Sequence, residues 1–502
     1  MTGRDDIRKY TKENGGRALL LFLLFAVALY NLCTTGIATF AIVCMLPIMG
    51  VMVILAFKYK MYLFYLLMVV NYFLMYLNRC GMLFLPVSLH TELVEVMLIA
   101  VAVIDSKEFK FHYMGNVMLF ALFLWVGFCC IEFFNDICSL GMHFMIWFTG
   151  IRLMAFQLLY AFIVFCLYVS NPRQVNRFIV LFAALTLFSA YWAWKQKTFG
   201  FNTYENRFLV VARRTHFVNG IIRYFSIFSD AANYGVNMAC SAVAFVVLTI
   251  TSRVRWMKLL FLATALASVW AMFISGTRTA IFCFIAGLGV YLVLSKSIRI
   301  FVPFALLFGA FVFFLVFTDI GQGNPQIRRM RTAFDSNDAS KNVRDINKIA
   351  LARYMKDAPW GVGIGVEAAD VPPYHKLKLM MHIPPDSEYV YIWVRTGVIG
   401  ITTFVATTLM MFIGACWIVF FRLKSPSLRG VGGAFTCAFL SLHLGGYANQ
   451  VLMQFPNVLL FYGGLTVVYV LPRIEAEWNE WEEKELAREK QGKLFKLTTK
   501  RA

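Results

Sequence analysis

The sequence predicts an all-α polytopic membrane protein with about 12–14 transmembrane helices and one large loop, containing short helices, on its outer face. Three observations predict it. Of 502 residues, 60% are hydrophobic and only 15% are charged, more apolar surface than a soluble chain of this length buries. The apolar residues fall in successive runs of about 20, the length that crosses a bilayer as a helix. The net charge is +20, and the basic residues sit mostly in short connections between those runs. That is the pattern of cytoplasmic loops, not of a nucleic-acid-binding face.

Taken in order, residues 1–17 carry Arg4, Arg8, Lys9, Lys12 and Arg17 and read as a cytoplasmic N-terminus. No small-residue cleavage site follows the first apolar run and a second run starts at once, so the run is read as a retained helix rather than a signal peptide. Spans are expected near 18–33, 36–57, 61–78, 82–104, 114–134, 149–169, 175–194, 231–251, 257–275, 279–296 and 299–318, then 388–420, 430–449 and 456–472. With the N-terminus inside, the connections at 58–60, 105–110, 171–177, 251–258, 295–299 and 421–429 all fall inside, and nearly all are short and rich in Lys or Arg. The two long connections, 195–230 and 319–387, fall outside. Residues 473–502 form a charged cytoplasmic tail, read as a solvated or surface helix with Trp478 and Trp481 toward the membrane interface. The eleven cysteines form no CxxC pair, and they read as apolar filler. No internal repeat is evident, which weighs against a transporter built from matched halves.

Charge inside hydrocarbon is unfavourable by about 2.5–3.5 kcal/mol per group at a helix centre, so the exceptions are informative. Glu92 and Glu95 lie in the fourth run and Arg152 opens the sixth. Arg223 and Asp230 precede the run at 231–251. Arg278 stands in the turn SGTRT, and Arg395 lies one to two turns into the run after the large loop. Arg223 and Arg278 share the outer side with that loop, where guanidinium forks suit phosphate oxygens. Within the loop, residues 342–357 have amphipathic helix spacing. Pro359 stops that helix, and GVGIG follows as a turn rather than a nucleotide fingerprint. The stretch 357–400 also gathers Asp370, His375, His382, Asp386 and Glu388. Asp386 equally fits a helix N-cap before a span beginning near Tyr389. No metal-ligand spacing is present, and neither a metal nor a cofactor is expected.

Four stretches together resemble the O-antigen ligase and polymerase superfamily of bacterial envelope enzymes. They are RYFSIFSDAANYG from Arg223 to Gly235, SGTRTA from Ser275 to Ala280, APWGVGIG from Ala358 to Gly365, and DSEYVYIWVRTGVIG from Asp386 to Gly400. The resemblance covers about residues 200–420. It implies a GT-C-like helical scaffold with a large periplasmic loop at 319–387. It further implies a metal-independent glycosyltransferase of the bacterial inner membrane with its active site facing the periplasm. The implied partners are a polyprenyl-diphosphate-linked glycan donor, a glycan or lipid A–core acceptor, and the lipid bilayer. Arg223 and Arg278 would hold the donor diphosphate. In place of the family's loop histidine this chain has Asp386, with His382 four residues earlier as a substitute base. Asp230, His375, Glu388, Arg395 and Glu92 are secondary site candidates. The departure at Asp386 leaves ligase and polymerase both open. The competing reading is a transporter or flippase of a lipid-linked or anionic substrate, which uses the same arginines and needs no base. A scaffolding subunit would need neither. The transferase reading expects Arg223, Arg278 and the Asp386 region around one outward-facing cavity.

Overall fold

The computed structural model describes residues 57–498 except 84, 219, 297, 324–326, 329–330 and 332–338, with scattered positions between 16 and 30. The expected spans at 18–33 and 36–57, and the N-terminal segment before them, lie outside the described residues. The chain divides into two compact units, Met1–Leu63 and Phe64–Ala502. The second carries the chemistry considered below.

The apolar runs become helices because only a helix satisfies its own backbone polar groups without water. In chain order they are α1 Lys60–Arg79, α2 Val87–Ile104, α3 Val117–Ile131, α4 Phe144–Tyr168 and α5 Pro172–Phe199. Two short helices follow, α6 Thr203–Val211 and α7 Arg213–His216, then an antiparallel hairpin of β1 Phe217–Val218 and β2 Ile221–Ile222. Next come α8 Ala231–Thr251, α9 Arg255–Ile274, α10 Arg278–Leu294 and α11 Ile298–Phe317. The large loop holds α12, Ala339–Met355, and a 3₁₀ turn, Met380–His382. The chain closes with α13 Glu388–Trp417, α14 Pro426–Ala448, α15 Gly463–Val470 and α16 Glu475–Thr498. Among the described residues, nine helical segments are long and apolar enough to cross a membrane, and Arg278–Leu294 is a shorter apolar helix. The fold is therefore all-α and polytopic. The small hairpin was not expected from sequence.

The caps are where polar sequence meets apolar run. Asn116, Asn171 and Ser387 each accept a backbone N–H three residues on, and Asp230 accepts from both Ala232 and Asn233. Such caps satisfy helix N–H groups left without intrahelical partners. Ser387, not Asp386, caps α13, so the expected capping role of Asp386 is corrected and its carboxylate is left to other partners.

α8 is the central helix. It packs on α9, α10 and α14, and its Ala, Gly and Ser residues admit neighbours closely. α13 packs on α3 and α14, and α15 on α4. At one end of the bundle, Arg473 donates to the carbonyls of His112 and Gly115, and Glu475 accepts from the N–H groups of Lys424 and Ser425. Trp478 is buried there and donates to Ser427 Oγ at 3.0 Å. The start of α16 is thus docked protein-on-protein, which corrects the expected interfacial placement of Trp478.

At the other end the glycine-rich turn clasps α13. Val362 N donates to Val394 O at 2.9 Å and Gly363 N to Arg395 O at 3.0 Å. α13 kinks at Gly397, where φ is +67° and ψ is −167°, a region essentially reserved for glycine. A Cβ there would sit 1.9 Å from Pro359 O. Gly397→Ala is expected to destabilise by about 3 kcal/mol or more, read as a lower melting temperature of the detergent-solubilised protein. An unchanged melting temperature would show that the clasp is not tight.

Candidate active site

Two clusters of sequence-expected residues form at the clasped end. The first is built on the turn between α9 and α10. Gly276 takes φ +61°, and Thr277 leads into α10, which Arg278 opens as its first residue. Thr277 Oγ1 donates to Ala231 O at 2.7 Å, tying the turn to the start of α8. Gly235 lies beneath it, and a Cβ there would fall 2.3 Å from Ser275 Oγ. Asp230, one of the candidates, caps α8 with Oδ1 and takes Ser229 Oγ on Oδ2 at 2.9 Å.

Arg223 follows β2. Its Nε donates to Ser275 O at 3.3 Å, Nη1 to Thr215 O at 2.9 Å and Nη2 to Thr277 Oγ1 at 3.0 Å. Two of the three nitrogens therefore bind the hairpin to the turn that presents Arg278, and Nη1 ties it to the end of α7. The arginine fork does structural work here that composition did not foretell.

His216 sets this hairpin and was not singled out in the sequence. Its carbonyl accepts from Arg223 N at 2.9 Å. Its Nδ1 lies 3.1 Å from Ala212 O, and its Nε2 accepts from Ala231 N at 3.3 Å. That pattern fits a neutral ring with the proton on Nδ1. Burial, with Arg223 adding to it, holds the imidazole below its ordinary pKa near 6.5. As pH falls below about 6.5, the unfolded chain takes up the proton before the folded one does. The stability present at neutral pH is then lost on the acid side. The melting temperature is expected to fall between neutral and mildly acidic pH, with a shallower slope in His216→Gln. Equal slopes would contradict this assignment.

The second cluster surrounds Asp386. It lines a cavity of about 140 Å³ together with Arg344, Asp345, Asn347 and Lys348 of α12, and Tyr447 and Ala448 at the end of α14. Asn347 Nδ2 donates to Asp386 Oδ2 at 2.8 Å. An acidic oxygen is thus oriented in a cleft with two basic side chains in its wall. Arg344, Asn347 and Lys348 were missed. Their spacing of three and four residues is the available signal, because it sets them on one face of the expected amphipathic helix.

Neither Arg223 nor Arg278 is among the residues lining this cavity, which corrects the expectation of one shared wall. The clusters are instead joined by the segment after α14. Asn449 Nδ2 donates to Thr279 Oγ1 at 3.3 Å, next to Arg278. Gln450 Nε2 donates to Pro385 O, next to Asp386. Leu452 N donates to Glu388 Oε2 at 3.0 Å. Farther on, Asn457 donates to Asn233 Oδ1 and accepts from Asn237. This amide ladder locks the joining segment onto α8.

The remaining candidates lie apart. His382 is exposed on its 3₁₀ turn and does not line the cavity. His375 Nδ1 accepts from Leu377 N at 3.2 Å within a local turn, and Asp370 accepts from Glu367 N at 2.7 Å. Glu388 is buried against the 452 backbone. Arg395 lies over the Tyr391 ring at 5.2 Å and reaches Glu367 at 3.5 Å. Glu92 is paired with Arg152 at 2.7 Å. No group of metal-ligating side chains occurs among the described residues.

Residues 263–405 match the family model described as O-Antigen ligase. The matched range runs from within α9 to within α13, and includes Arg278 and Asp386 but not Arg223. No curated protein matches the chain.

Proposed function

Membership of the O-antigen ligase/polymerase superfamily, carried by residues 263–405, is the premise from which we propose a membrane glycosyltransferase acting on a polyprenyl-diphosphate-linked glycan at the periplasmic face. The observation that supports it best is the joining segment. Asn449 and Gln450 are neighbours in sequence, yet one bonds beside Arg278 and the other beside Asp386. A basic site and an acidic site are thereby held together by one short piece of backbone.

In this reading Arg278 meets the donor diphosphate, and Arg223 fixes the turn that presents it. The acceptor hydroxyl attacks the anomeric carbon while its proton passes to Asp386. The bond from that carbon to the phosphate oxygen breaks, and the electron pair leaves with the polyprenyl diphosphate. The developing charge is met by guanidinium, without a metal ion or nucleotide. Arg344 and Lys348 add positive charge beside the acceptor.

The test is reconstitution of the full chain with a polyprenyl-diphosphate-linked oligosaccharide. Supplied with lipid A–core, a ligase transfers glycan to it; supplied with donor alone, a polymerase lengthens it. Movement of donor across the vesicle membrane with no new glycosidic bond would overturn the proposal in favour of transport.

A further inference from the structure

Away from these clusters, the interface of α2 and α4 buries acid without pairing it. Glu95 is fully buried. It stands eight residues from Val87 and nine from Ile104 in α2, about 12–14 Å from either end at helical rise. Neither of its carboxyl oxygens has a hydrogen-bond partner among the described residues. One turn earlier, Glu92 accepts from Arg152 Nε at 2.7 Å through Oε2, and Arg152 also donates to Ser88 at 3.2 Å. The other oxygen of Glu92 is unpartnered. Arg152 therefore already serves one carboxylate and leaves the second without a counter-charge.

The facing helix is built for the same place. α4 passes through a π turn at Arg152–Phe156, a local widening that recurs at functional sites. Gln157 follows it, 1% exposed, with both side-chain polar atoms unpartnered. Tyr160, one turn on, senses the charges of Glu92, Glu95 and Arg152. Gln157 thus stands on α4 five residues after the arginine that grips Glu92. The titratable and charged groups that act on or beside Glu95 are Glu92 on its own helix and Tyr160 on α4, while Arg152 is held by Glu92 and Ser88.

The unpartnered atoms are unbalanced. Four are acceptor oxygens, on Glu92, Glu95 and Gln157, and one is the Gln157 amide donor. An ionised Glu95 adds an unpaired charge at mid-span, where charge is least tolerated. One proton corrects both faults, because it removes the charge and turns an acceptor into a donor. We propose that the α2–α4 interface is a proton-binding site whose carrier is Glu95, with Arg152 neutralising Glu92 so that a single proton suffices. The assignment is independent of the transferase reading.

The test uses the full-length protein in membranes and a membrane-permeant probe, dicyclohexylcarbodiimide. It reacts with a protonated carboxyl: the acid proton goes to a carbodiimide nitrogen, the oxygen bonds to the central carbon, and the acyl group shifts to nitrogen as a stable N-acylurea. The adduct is expected on Glu95 at neutral pH by peptide mass spectrometry, and to drop at least tenfold at that position's peptide in Glu95→Gln. Infrared spectroscopy reads the same proton without needing reagent access, as a neutral-carboxyl carbonyl band lost in Glu95→Gln. Absence of that band at neutral pH overturns the proposal. So does protection from labelling by sodium ion, which would make the ligand a metal cation.

Discussion

Asp386→Asn is expected to insert and fold normally yet lose glycan transfer by about 10²–10⁴-fold. The amide keeps the shape of the carboxylate and the reach to Asn347, but no longer accepts a proton from a sugar hydroxyl. Folding is preserved because Ser387 supplies the α13 cap and Asp386 does not. The loss should fall on kcat with KM little changed, since the proton moves only in the transition state. Asp386→Glu is expected to recover part of the rate. His382→Ala, on an exposed turn outside the cavity, should leave transfer near wild type. The measurement is product formation by reconstituted protein at matched amounts. Wild-type rates in Asp386→Asn with a loss in His382→Ala would reassign the base to the histidine.

Arg278→Ala is expected to lower kcat by about 10²–10³-fold, the usual effect of removing one group that stabilises developing charge. Arg278→Lys should recover only part of it, because the ammonium keeps the charge and loses the planar fork. Arg223→Ala should behave differently. Arg223 joins Thr215, Ser275 and Thr277, so its removal should lower the melting temperature as well as the rate. A pure rate effect at Arg223, or a pure stability effect at Arg278, would exchange the two roles. Lipid-linked single units should accumulate in cells carrying Arg278→Ala, and their absence would argue that the step lies elsewhere.

The helical scaffold was legible because hydropathy is a local property: each apolar run from 61 onward became a helix within about seven residues of its expected ends. The misses were places where local rules tie. Asp386 and Ser387 are both good caps, and only the packed loop decides between them. Arg344, Asn347 and Lys348 were visible as one face of a helix, but which neighbour that face meets is a tertiary fact. Asn449 and Gln450 carried no signal at all, since two amides after a helix look like any polar turn. Arg223 was found for its charge, while two of its three hydrogen bonds, to Ser275 and Thr277, reach residues more than 50 positions away.

The clasp between the glycine turn and α13 has a consequence for how this loop can vary. Residues from Ile364 to Trp393 form a closed excursion, pinned at its base by the pairs Val362–Val394 and Gly363–Arg395. Length cannot be added at the base without breaking backbone bonds or displacing Gly397 from Pro359. The far side is free of that constraint, and Tyr374 there is fully exposed between Pro373 and His375. An epitope tag inserted beside Tyr374 should therefore be displayed without disturbing Asp386, and sequence diversity among relatives with different acceptors would be accommodated at that tip first.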